Sequence, residues 1–487
     1  MLYFFYIIWG GHSLEKETLH HYLYRVLREQ IVSSTLPQGS LLPSSRELSK
    51  TYNVGMRTVK DVMHTLHEEG YICLQERKRA VIIYHKNSDE EERIFKIASM
   101  HKRSIDILHA SNVIFPSYYA RAVDLFEDCD LDILQNMLDV LPNRQHRIYR
   151  KIVQEFHLFI LSRYHNPIVI DLYLRVEHCL RIPVIDPSHP YPHSHPHIHA
   201  VLSSVVENYR RRNSKAVFVT YRKLHDDLLQ YSQQQIFKTH LQNVVSAPFT
   251  WNPQKGRTSQ YTRVFQSLVH KIITGQYQDQ EYLPSLEALA NEYSVSLHTI
   301  RKALRQLNAI GLSRTRNGVG TQCTLYQGLH KSSLLEDEDM RQDTLLYLSS
   351  VQFIAMNIRS LAFENFSQLV RIYCEHQKLN ISTFTKNHPR IFHVLVEVLS
   401  DSALKSIYTE IRDILLWGSY FSVIGIDQRH FDQLMAHYEK ALHHLRTQQA
   451  QEFAIELEKL YVSLFYMMRE YICSFGIHEA AQLTLPS

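Results

Sequence analysis

The stretch that decides the fold occurs twice in the chain: LPSSRELSKTYNVGMRTVKDVMHTLHEEG spans 42–70, and LPSLEALANEYSVSLHTIRKALRQLNAIG spans 283–311. The two segments align without a gap, and each position of the second lies 241 residues after its counterpart. This self-similarity predicts one small fold used twice. The matched positions are mostly apolar, as a shared core requires: Leu48 with Leu289, Tyr52 with Tyr293, Val54 with Val295, and Leu66 with Leu307.

The residues around the first copy predict three helices followed by a β-hairpin. Ser44 and Glu47 have the spacing of a capping box, which starts the second helix. A third helix follows the turn at 53–55 and ends at Gly70, a typical C-terminal glycine. Two β-prone runs, 71–74 and 80–84, then flank a basic tip. The first helix is indicated upstream by apolar residues on one helical face, Leu23, Val26, Leu27 and Ile31.

Two helices joined by a short turn and followed by a hairpin form a winged helix-turn-helix, whose second motif helix lies in the DNA major groove. We therefore predict double-stranded DNA, an operator, as the partner. The predicted contacts of the first copy are Ser44, Arg46, Arg57, Thr58, Lys60, Arg77, Lys78 and Arg79. Those of the second copy are Ser285, His298, Thr299, Arg301, Arg305, Arg316, Gly318 and Gly320. Glycines in the second wing allow close approach of its backbone to DNA.

The Leu-Pro-Ser motif, the Tyr-x-Val-x-x-x-Thr turn and helix, and the closing glycine resemble the GntR family of bacterial repressors. The resemblance covers about 60 residues of each copy, in the order helix, turn, helix and wing. It implies a transcription regulator that works in the bacterial cytoplasm. Repetition of the whole motif favours DNA binding over an ordinary solvated basic surface.

Each copy departs from the family pattern in a different way. The family's arginine before the glutamate of the first motif helix is Arg46 in the first copy and Glu287 in the second. Its base-reading arginine falls on Met56 and Leu297, neither of which can donate to guanine. The family's wing glycines fall on Arg77 and Arg79 in the first copy and on Gly318 and Gly320 in the second. Contacts to phosphates survive these changes, whereas guanine recognition at the usual position does not.

The repeat continues beyond the DNA-binding segment, because Phe156-His157-Leu158 has a counterpart in Phe392-His393-Val394, 236 residues later. The chain therefore alternates DNA-binding and helical regions. The predicted domains are 14–85 and 260–326 for DNA binding, 89–246 and 331–487 for the helical regions, and 247–259 for a linker between the halves.

The residue spacing in 89–246 and 331–487 predicts helices almost throughout both regions, and neither shows the alternating pattern of a strand. The fold class is therefore mainly α: two winged helix-turn-helix domains, each α with a small β wing, alternating with two all-α bundles. The segments with helical spacing in the first region are Glu92–Ala110, Arg144–Tyr164, Pro167–Arg181, Ile198–Arg211 and Ser214–Tyr231.

The segment 156–167 resembles the helical effector domain of the FadR-type branch of GntR, in which a cavity holds a divalent metal and a small carboxylate ligand. His157 and His393 match the first metal-binding histidine, which makes them the candidate effector-pocket residues. The aspartate four residues earlier falls on Val153 and Pro389, which cannot ligate. Later ligand positions are matched loosely by His199 and His225 in the first copy, and by His437 and Tyr461 in the second. With the ligand set broken, we expect no metal or cofactor.

The run from His189 to His199 is a second candidate for metal binding, and it belongs to the histidine- and proline-rich stretch from Pro183 to His199. Its three prolines predict a stiff, exposed loop, and its histidines predict adventitious binding of zinc or nickel. A physiological role in metal binding is the weaker of the two interpretations.

Composition narrows the class of protein. A net charge of +4 from 53 Lys and Arg against 49 Asp and Glu requires any basic surface to be local. The six cysteines form no CxxC pair, which favours a reducing compartment over disulfides or a zinc site. The apolar residues 1–9 are too few to span a bilayer, and we interpret them as a packing arm or an artefact of the assigned start codon. We therefore expect a cytoplasmic protein without membrane partners.

No phosphate loop, nucleophile elbow, HExxH or paired-carboxylate motif is present, so we expect no enzyme. A pyridoxal-phosphate transferase fusion is excluded because no long α/β region remains. Two interpretations of function stay open: a regulator responding to a carboxylate-like effector, and a ligand-independent protein that organises DNA or pairs with other regulators. Two interpretations of assembly also stay open, a single chain acting as a pseudo-dimer and a homodimer.

Overall fold

The computed structural model describes most of the chain and divides it into two compact units, Met1–Arg93 and Ile94–Ser487. Both units are helical apart from two small antiparallel hairpins in the described residues, which confirms the predicted fold class. None of the described helices is long and apolar enough to cross a membrane. The described residues are 19–32, 35–52, 54–74, 78–84, 90–141, 146–180, 195–239, 246, 248–254, 260–273, 276–277, 281–324, 338–376, 390–415 and 428–486.

The first unit contains the first DNA-binding module. Its helices are α1 (Leu19–Val32), α2 (Ser45–Tyr52) and α3 (Met56–Glu68), and its hairpin pairs β1 (Ile72–Cys73) with β2 (Val81–Ile82). The predicted capping box is present, since Glu47 N donates to Ser44 Oγ at 3.2 Å and Ser44 N donates to the Glu47 carboxylate at 2.8 Å. The predicted apolar positions close the core: Leu23, Leu27, Leu48, Val59, Val62 and Leu66 are buried.

The second module repeats the same architecture within the second unit. Its elements are α10 (Gln260–Ile273), α11 (Leu286–Tyr293), α12 (Leu297–Ala309), β3 (Ser313–Arg316) and β4 (Gly320–Cys323); the labels α4–α9 belong to the helical region before it.

The repeat extends to individual backbone hydrogen bonds at the wing. Leu42 N donates to Ala80 O at 2.8 Å, and Leu283 N donates to Thr321 O at 2.8 Å. In each module the residue before this bond, Leu41 or Tyr282, forms an isolated antiparallel β-bridge to the second strand of the hairpin. The sequence patterns did not predict this bridge.

The first helical region contains the predicted helices, although their ends differ from the prediction. Its helices are α4 (Glu90–Arg121), α5 (Asp128–Asp139), α6 (His146–Ser162), α7 (Pro167–Cys179), α8 (His195–Arg210) and α9 (Ser214–Thr239), with a 3-10 turn at Ala122–Leu125. Helices α4, α8 and α9 are longer than predicted, whereas α6 and α7 are shorter. The loop predicted for 189–199 is wrong at its end, because α8 already begins at His195. Residues 181–194 lie outside the described ones. The prediction also ended α4 at Ala110 and missed α5.

Helix α4 continues through a proline because another side chain satisfies the backbone. Pro116 has no N–H to bond the carbonyl of Asn112, four residues before it. The guanidinium of Arg222, on α9, donates to that carbonyl oxygen at 3.0 Å. This bond reduces the loss of stability that a proline inside a helix causes, and α4 therefore continues past Pro116.

The second helical region follows the same order. Its helices are α13 (Glu338–Glu364), α14 (Phe366–His376), α15 (Arg390–Val398), α16 (Ser402–Leu415), α17 (Gln428–Arg446) and α18 (Ala450–Ser474), followed by a 3-10 turn at His478–Gln482. Helices α9 and α18 are equivalent, because each follows a residue with a left-handed backbone conformation. These residues are Arg212, with a φ of 52°, and Gln448, with a φ of 56°.

The two helical regions contact each other through reciprocal pairs of elements. At the start of α7, the Asn166 amide donates to Ser349 O at 2.8 Å and to the Gln352 side chain at 2.5 Å, both on α13. At the start of α16, the Ser402 hydroxyl donates to Asp106 of α4 at 2.9 Å. Because α7 corresponds to α16 and α4 to α13, these contacts exchange roles as a twofold axis would require.

The segment between the halves is anchored to the first helical region. Phe249 and Trp251 are buried, and the indole N–H of Trp251 donates to Asp171 of α7 at 2.7 Å. Arg175, also on α7, donates to Thr250 O at 3.0 Å. The described part of the predicted linker, 248–254, is therefore packed against α7 and is no free tether.

Candidate nucleic-acid interface

Helices α3 and α12, which are predicted to enter the DNA major groove as recognition helices, begin differently although they occupy equivalent positions. Ser296 caps α12, with its Oγ accepting from Thr299 N at 3.2 Å. Gly55 precedes α3 and supplies no side-chain cap, which leaves the first-turn N–H groups for other acceptors. The first helical residues are Met56, which is 43% exposed, and Leu297, which packs on the core. Neither provides a donor at the usual base-reading position.

The first module presents a set of exposed cations around its recognition helix. Arg57 and Lys60 lie exposed on α3, Arg46 on α2, and Lys78 on the wing. Thr58 is half-buried between them. Two other predicted contacts do not belong to this exposed set. Ser44 is part of the capping box, and Arg77 lies outside the described residues.

Arg79 has a partner within its own module. Its Nε donates to Leu42 O at 3.1 Å, and its Nη2 lies 3.3 Å from the Glu47 carboxylate. It thus ties the wing to the capped start of α2, and its guanidinium is about one-third exposed. The positions 241 residues later are Ala288 and Gly320, so the second module has lost both members of this ion pair together.

The second module presents His298, Arg301 and Arg305 as exposed side chains on α12. Thr299 is half-buried, and its hydroxyl lies 2.9 Å from that of Ser296. Ser285 is the N-cap of α11, accepting from Ala288 N at 3.1 Å. His298, Thr299, Arg301 and Arg305 therefore lie on one helix, α12, whereas Ser285 caps the start of α11.

The second wing is exposed from residue 314 to 320 and turns at Gly318, where φ is +77°. Arg316 lies at this tip. Gly320 has a φ of +135°, and a Cβ there would lie 3.2 Å from the ring of Tyr282. The backbone conformation at both positions therefore favours glycine, and the approach of this wing to DNA stays a prediction.

Sequence reasoning missed one position in each module, Asn308 and His67, whose side chain contacts the wing from the helix before it. Asn308 of α12 accepts from the Ser313 hydroxyl at 2.6 Å and donates to Thr315 Oγ1 at 2.8 Å. In the first module the equivalent residue is His67, whose Nδ1 lies 2.9 Å from Ile72 O. Polar residues at matched positions of a repeat, one turn before the closing glycine, were the available signal.

The candidate effector residue His157 lies in a buried aromatic cluster of the first helical region. Its ring is 5.4 Å from that of Tyr119, 5.9 Å from that of Tyr173 and 5.7 Å from that of Tyr221, measured between centroids. Burial lowers the pKa of His157 to about 4, and it lowers the pKa of the neighbouring His225 to about 4 as well. Both rings are therefore neutral near pH 7 and act as hydrogen-bonding groups.

Val153, at the family's aspartate position, contributes only its backbone carbonyl, which accepts from His157. His225 Nδ1 lies 2.8 Å from Tyr221 O. His199 is half-buried at the start of α8. Among the described residues, no group of three or more His, Cys, Asp or Glu is arranged to hold a metal ion.

The second helical region does not repeat this cluster. His393 is partly buried, and burial together with the charge of Arg412 lowers its pKa. The position of His225 is taken by Tyr461, and the positions of Tyr119 and Tyr221 by Ala362 and Leu457. His437 instead lies 2.9 Å from Glu456. Pro389 lies outside the described residues.

Comparison with known proteins finds similarity in the two DNA-binding modules. The family model described as "Bacterial regulatory proteins, gntR family" matches residues 20–82 and 260–322. A curated relative, the histidine utilization repressor of Pseudomonas putida, is 39% identical over 82 residues, which are 17% of this chain and 32% of that protein. The match thus spans about a third of the relative's length.

Solved structures of regulators align with less than half of the chain. Streptococcus agalactiae GntR is 17% identical, with a TM-score of 0.20, covering 44% of this chain and 98% of that one. E. coli McbR/YncC is 13% identical, with a TM-score of 0.20, covering 44% and 99%. The Lar regulator of Listeria monocytogenes is 14% identical, with a TM-score of 0.24, covering 45% and 97%.

Proposed function

We propose that the protein is a cytoplasmic transcription regulator that binds an operator as a covalent pseudo-dimer, because both of its winged-helix modules match the model of the gntR family of bacterial regulatory proteins. Each module takes one half-site of the same double-stranded DNA. The two helical regions then pair within one chain as two subunits pair elsewhere. We assign the protein no catalytic activity.

The observation that supports this proposal is the duplication at the level of single contacts. The wings share the backbone hydrogen bond from Leu42 to Ala80 and from Leu283 to Thr321, so the two modules have the same local wing geometry. The helical regions share the exchanged contacts of Asn166 and Ser402. A pair of readers with a pseudo-twofold axis suits an imperfect palindrome.

We further propose that phosphate contacts supply most of the affinity. Exposed Arg46, Arg57 and Lys60 surround a recognition helix that lacks the guanine-reading arginine. In the second module His298 and Arg301 occupy the equivalent face. The two half-sites should therefore differ in sequence, and binding should weaken steeply with salt.

Selection of bound DNA from a random pool, followed by light scattering of the complex, tests the proposal. Two unlike half-sites at a spacing set by the helical repeat, with one chain per operator, are expected. R57A/K60A and R301A/R305A should each weaken binding far more than twofold, because linked modules act at high effective concentration. The control R210A/R211A removes two exposed arginines from α8 and its end. Identical half-sites, or two chains on one short operator, would contradict the pseudo-dimer.

Responsiveness to a small carboxylate-like effector is the second part of the proposal. The cluster of His157, His225 and Tyr221 lies in the first helical region, and the second lacks its counterpart, so one effector per chain is expected. The competing function is a ligand-independent protein that organises DNA or pairs with other regulators. A thermal-shift screen with small carboxylic acids separates the two: stabilisation that is lost in H157L supports a sensor, and no stabilisation by any acid supports the alternative.

The effector site is proposed to work without a resident metal, since Val153 contributes no carboxylate. Elemental analysis of purified protein tests this. Histidines of the run from Pro183 to His199 should first be replaced by serine rather than deleted, because α8 begins at His195. Stoichiometric zinc, nickel or manganese remaining after that change would contradict the proposal.

A further inference from the structure

Four charged residues at pseudo-equivalent positions line the contact between the two helical regions. Arg121 ends α4 and Glu364 ends α13, so these two correspond. Arg222 and Glu458 lie on α9 and α18, each ten residues after the left-handed residue that precedes its helix. The first region thus carries arginine at both positions, and the second carries glutamate at both.

These residues form two ion pairs that the pseudo-twofold axis exchanges. Arg121 pairs with Glu458, and these side chains are 27% and 15% exposed. Arg222 lies 3.8 Å from Glu364, at 39% and 40% exposure. In one pair the arginine comes from the end of α4, and in the other it comes from α9, so each kind of position carries arginine once and glutamate once.

Both pairs are held in place by further contacts of the same surface. Arg222 donates to Asn112 O, and it therefore has a fixed position beside the proline of α4. Glu458 also lies 3.3 Å from Arg359, so it sits between two guanidinium groups. The partial burial of Arg121 and Glu458 makes their electrostatic interaction stronger than that of a fully solvated pair.

From this arrangement we propose that the two ion pairs are a pairing code, by which the first helical region binds the second and rejects a second copy of itself. Two first regions paired in the same way would place Arg121 against Arg222 twice. Two second regions would place Glu364 against Glu458 twice. Like charges facing each other at an interface suppress the wrong partner, while opposite charges favour the right one.

The pairing code concerns the contact between the two helical regions, which the proposed function also requires. It rests on that proposed function only for its biological purpose. The contacts themselves predict a property of the free protein, measurable without DNA. A protein that fails to bind an operator would leave this inference standing, and a failed code would leave DNA binding standing.

Two double variants test the code. R121E/E364R makes each region complementary to itself and opposes like charges between the two regions of one chain. The glutamate introduced at position 121 would face Glu458, and the arginine introduced at position 364 would face Arg222. R121E/E458R is the matched control of equal net charge, because it reverses one pair and keeps both pairs between the regions complementary. Both variants retain Arg222 and its bond to Asn112.

Light scattering across a hundredfold range of protein concentration gives the answer. The control should keep the mass of the unchanged chain, whose monomer is 57.4 kDa. R121E/E364R should shift to about twice that mass or more as concentration rises, because first regions then associate between chains. An unchanged mass for R121E/E364R, or equal shifts for both variants, would overturn the code.

The single variant E364R keeps the test decisive if R121E/E364R does not fold. It changes only the more exposed pair, opposing Arg222 with arginine. A concentration-dependent rise in mass that is abolished by adding R222E supports the code. A mass that stays at the value of the unchanged chain overturns it.

Discussion

Arg79 Nη2 lies 3.3 Å from the Glu47 carboxylate, which joins the first wing to the capping box of α2. Lys78, the neighbouring residue, is exposed on the same wing. Two adjacent cations of equal charge are therefore expected to serve different purposes. One fixes the wing, and the other is placed for a phosphate.

Lys78→Ala and Arg79→Ala should consequently differ in their effect on DNA binding. Lys78→Ala should flatten the slope of log K against log salt by roughly one unit, since one phosphate contact is lost. Arg79→Ala should leave that slope nearly unchanged and lower the stability of the module by about 1 kcal/mol, because it removes a partly exposed ion pair and a bond to Leu42 O. Equal changes of slope for the two variants would contradict this assignment.

The bond from Arg222 to Asn112 O makes the cost of two substitutions non-additive. Arg222→Ala should destabilise the helical region by about 1–2 kcal/mol, because the carbonyl that Pro116 leaves unpaired then loses its donor. In a Pro116→Ala background the new N–H supplies that donor, so the same change should cost about 1 kcal/mol less. Urea unfolding of the four variants measures the coupling. Arg211→Ala, on an exposed pair within one helix end, is the control and should show no coupling to Pro116.

The repeat, the capping box and the wing were predictable because each depends on residues close in sequence. Ser44 and Glu47 are three residues apart, and Gly70 closes a helix by its own backbone conformation, with φ of +77°. Helix α5 was missed although its signal was local too: Glu127 and Asp130 form a capping box ahead of its apolar face.

The contacts that were not predicted join residues far apart in sequence. Pro116 reads as a helix breaker until Arg222 is known to stand beside Asn112. Trp251 reads as part of a polar linker until its indole meets Asp171, 80 positions away. The role of Arg79 likewise depends on Glu47, 32 positions away. Residue spacing within one helix or strand cannot predict contacts between residues so far apart in sequence. The exposed residues of the candidate site were therefore predicted, whereas the contacts that hold them in place were not.

Acidification should destabilise the first helical region through His157 and His225. The folded pKa of His157 and of His225 is about 4, against an ordinary value of 6.5. Between these values the unfolded chain binds protons that the folded chain does not, so the free energy of unfolding falls as pH decreases. Each unit of pKa corresponds to about 1.4 kcal/mol, so the two rings together should cost several kcal/mol by pH 4.

Thermal unfolding measured from pH 7 to pH 4 tests this dependence. His157→Leu should flatten the curve between pH 6.5 and pH 4, because one fewer proton is taken up on unfolding. Exposed His478→Gln is the control and should leave the curve as it is. A curve for His157→Leu as steep as that of the unchanged chain would contradict the burial argument.

Gly320 of the second wing should tolerate no side chain, for two separable reasons. Its φ of +135° is strained for any residue with a Cβ, and that Cβ would lie 3.2 Å from the Tyr282 ring. Gly320→Ala should therefore lower the stability of the second module by about 1–3 kcal/mol. Gly318→Ala should lower the stability by about 1 kcal/mol, from backbone strain alone, because no atom lies within 4 Å of the position its Cβ would take.

Adding Tyr282→Ala separates the two terms. It should recover part of the loss in Gly320→Ala and none in Gly318→Ala, as followed by thermal unfolding of the four variants and of Tyr282→Ala alone. Equal behaviour of the two glycines in that background would show that the ring contact is irrelevant. Because Gly320 stands where the first module has Arg79, the same measurement explains the asymmetry of the wings: a backbone that accepts only glycine cannot carry the arginine that would pair with a glutamate at position 288.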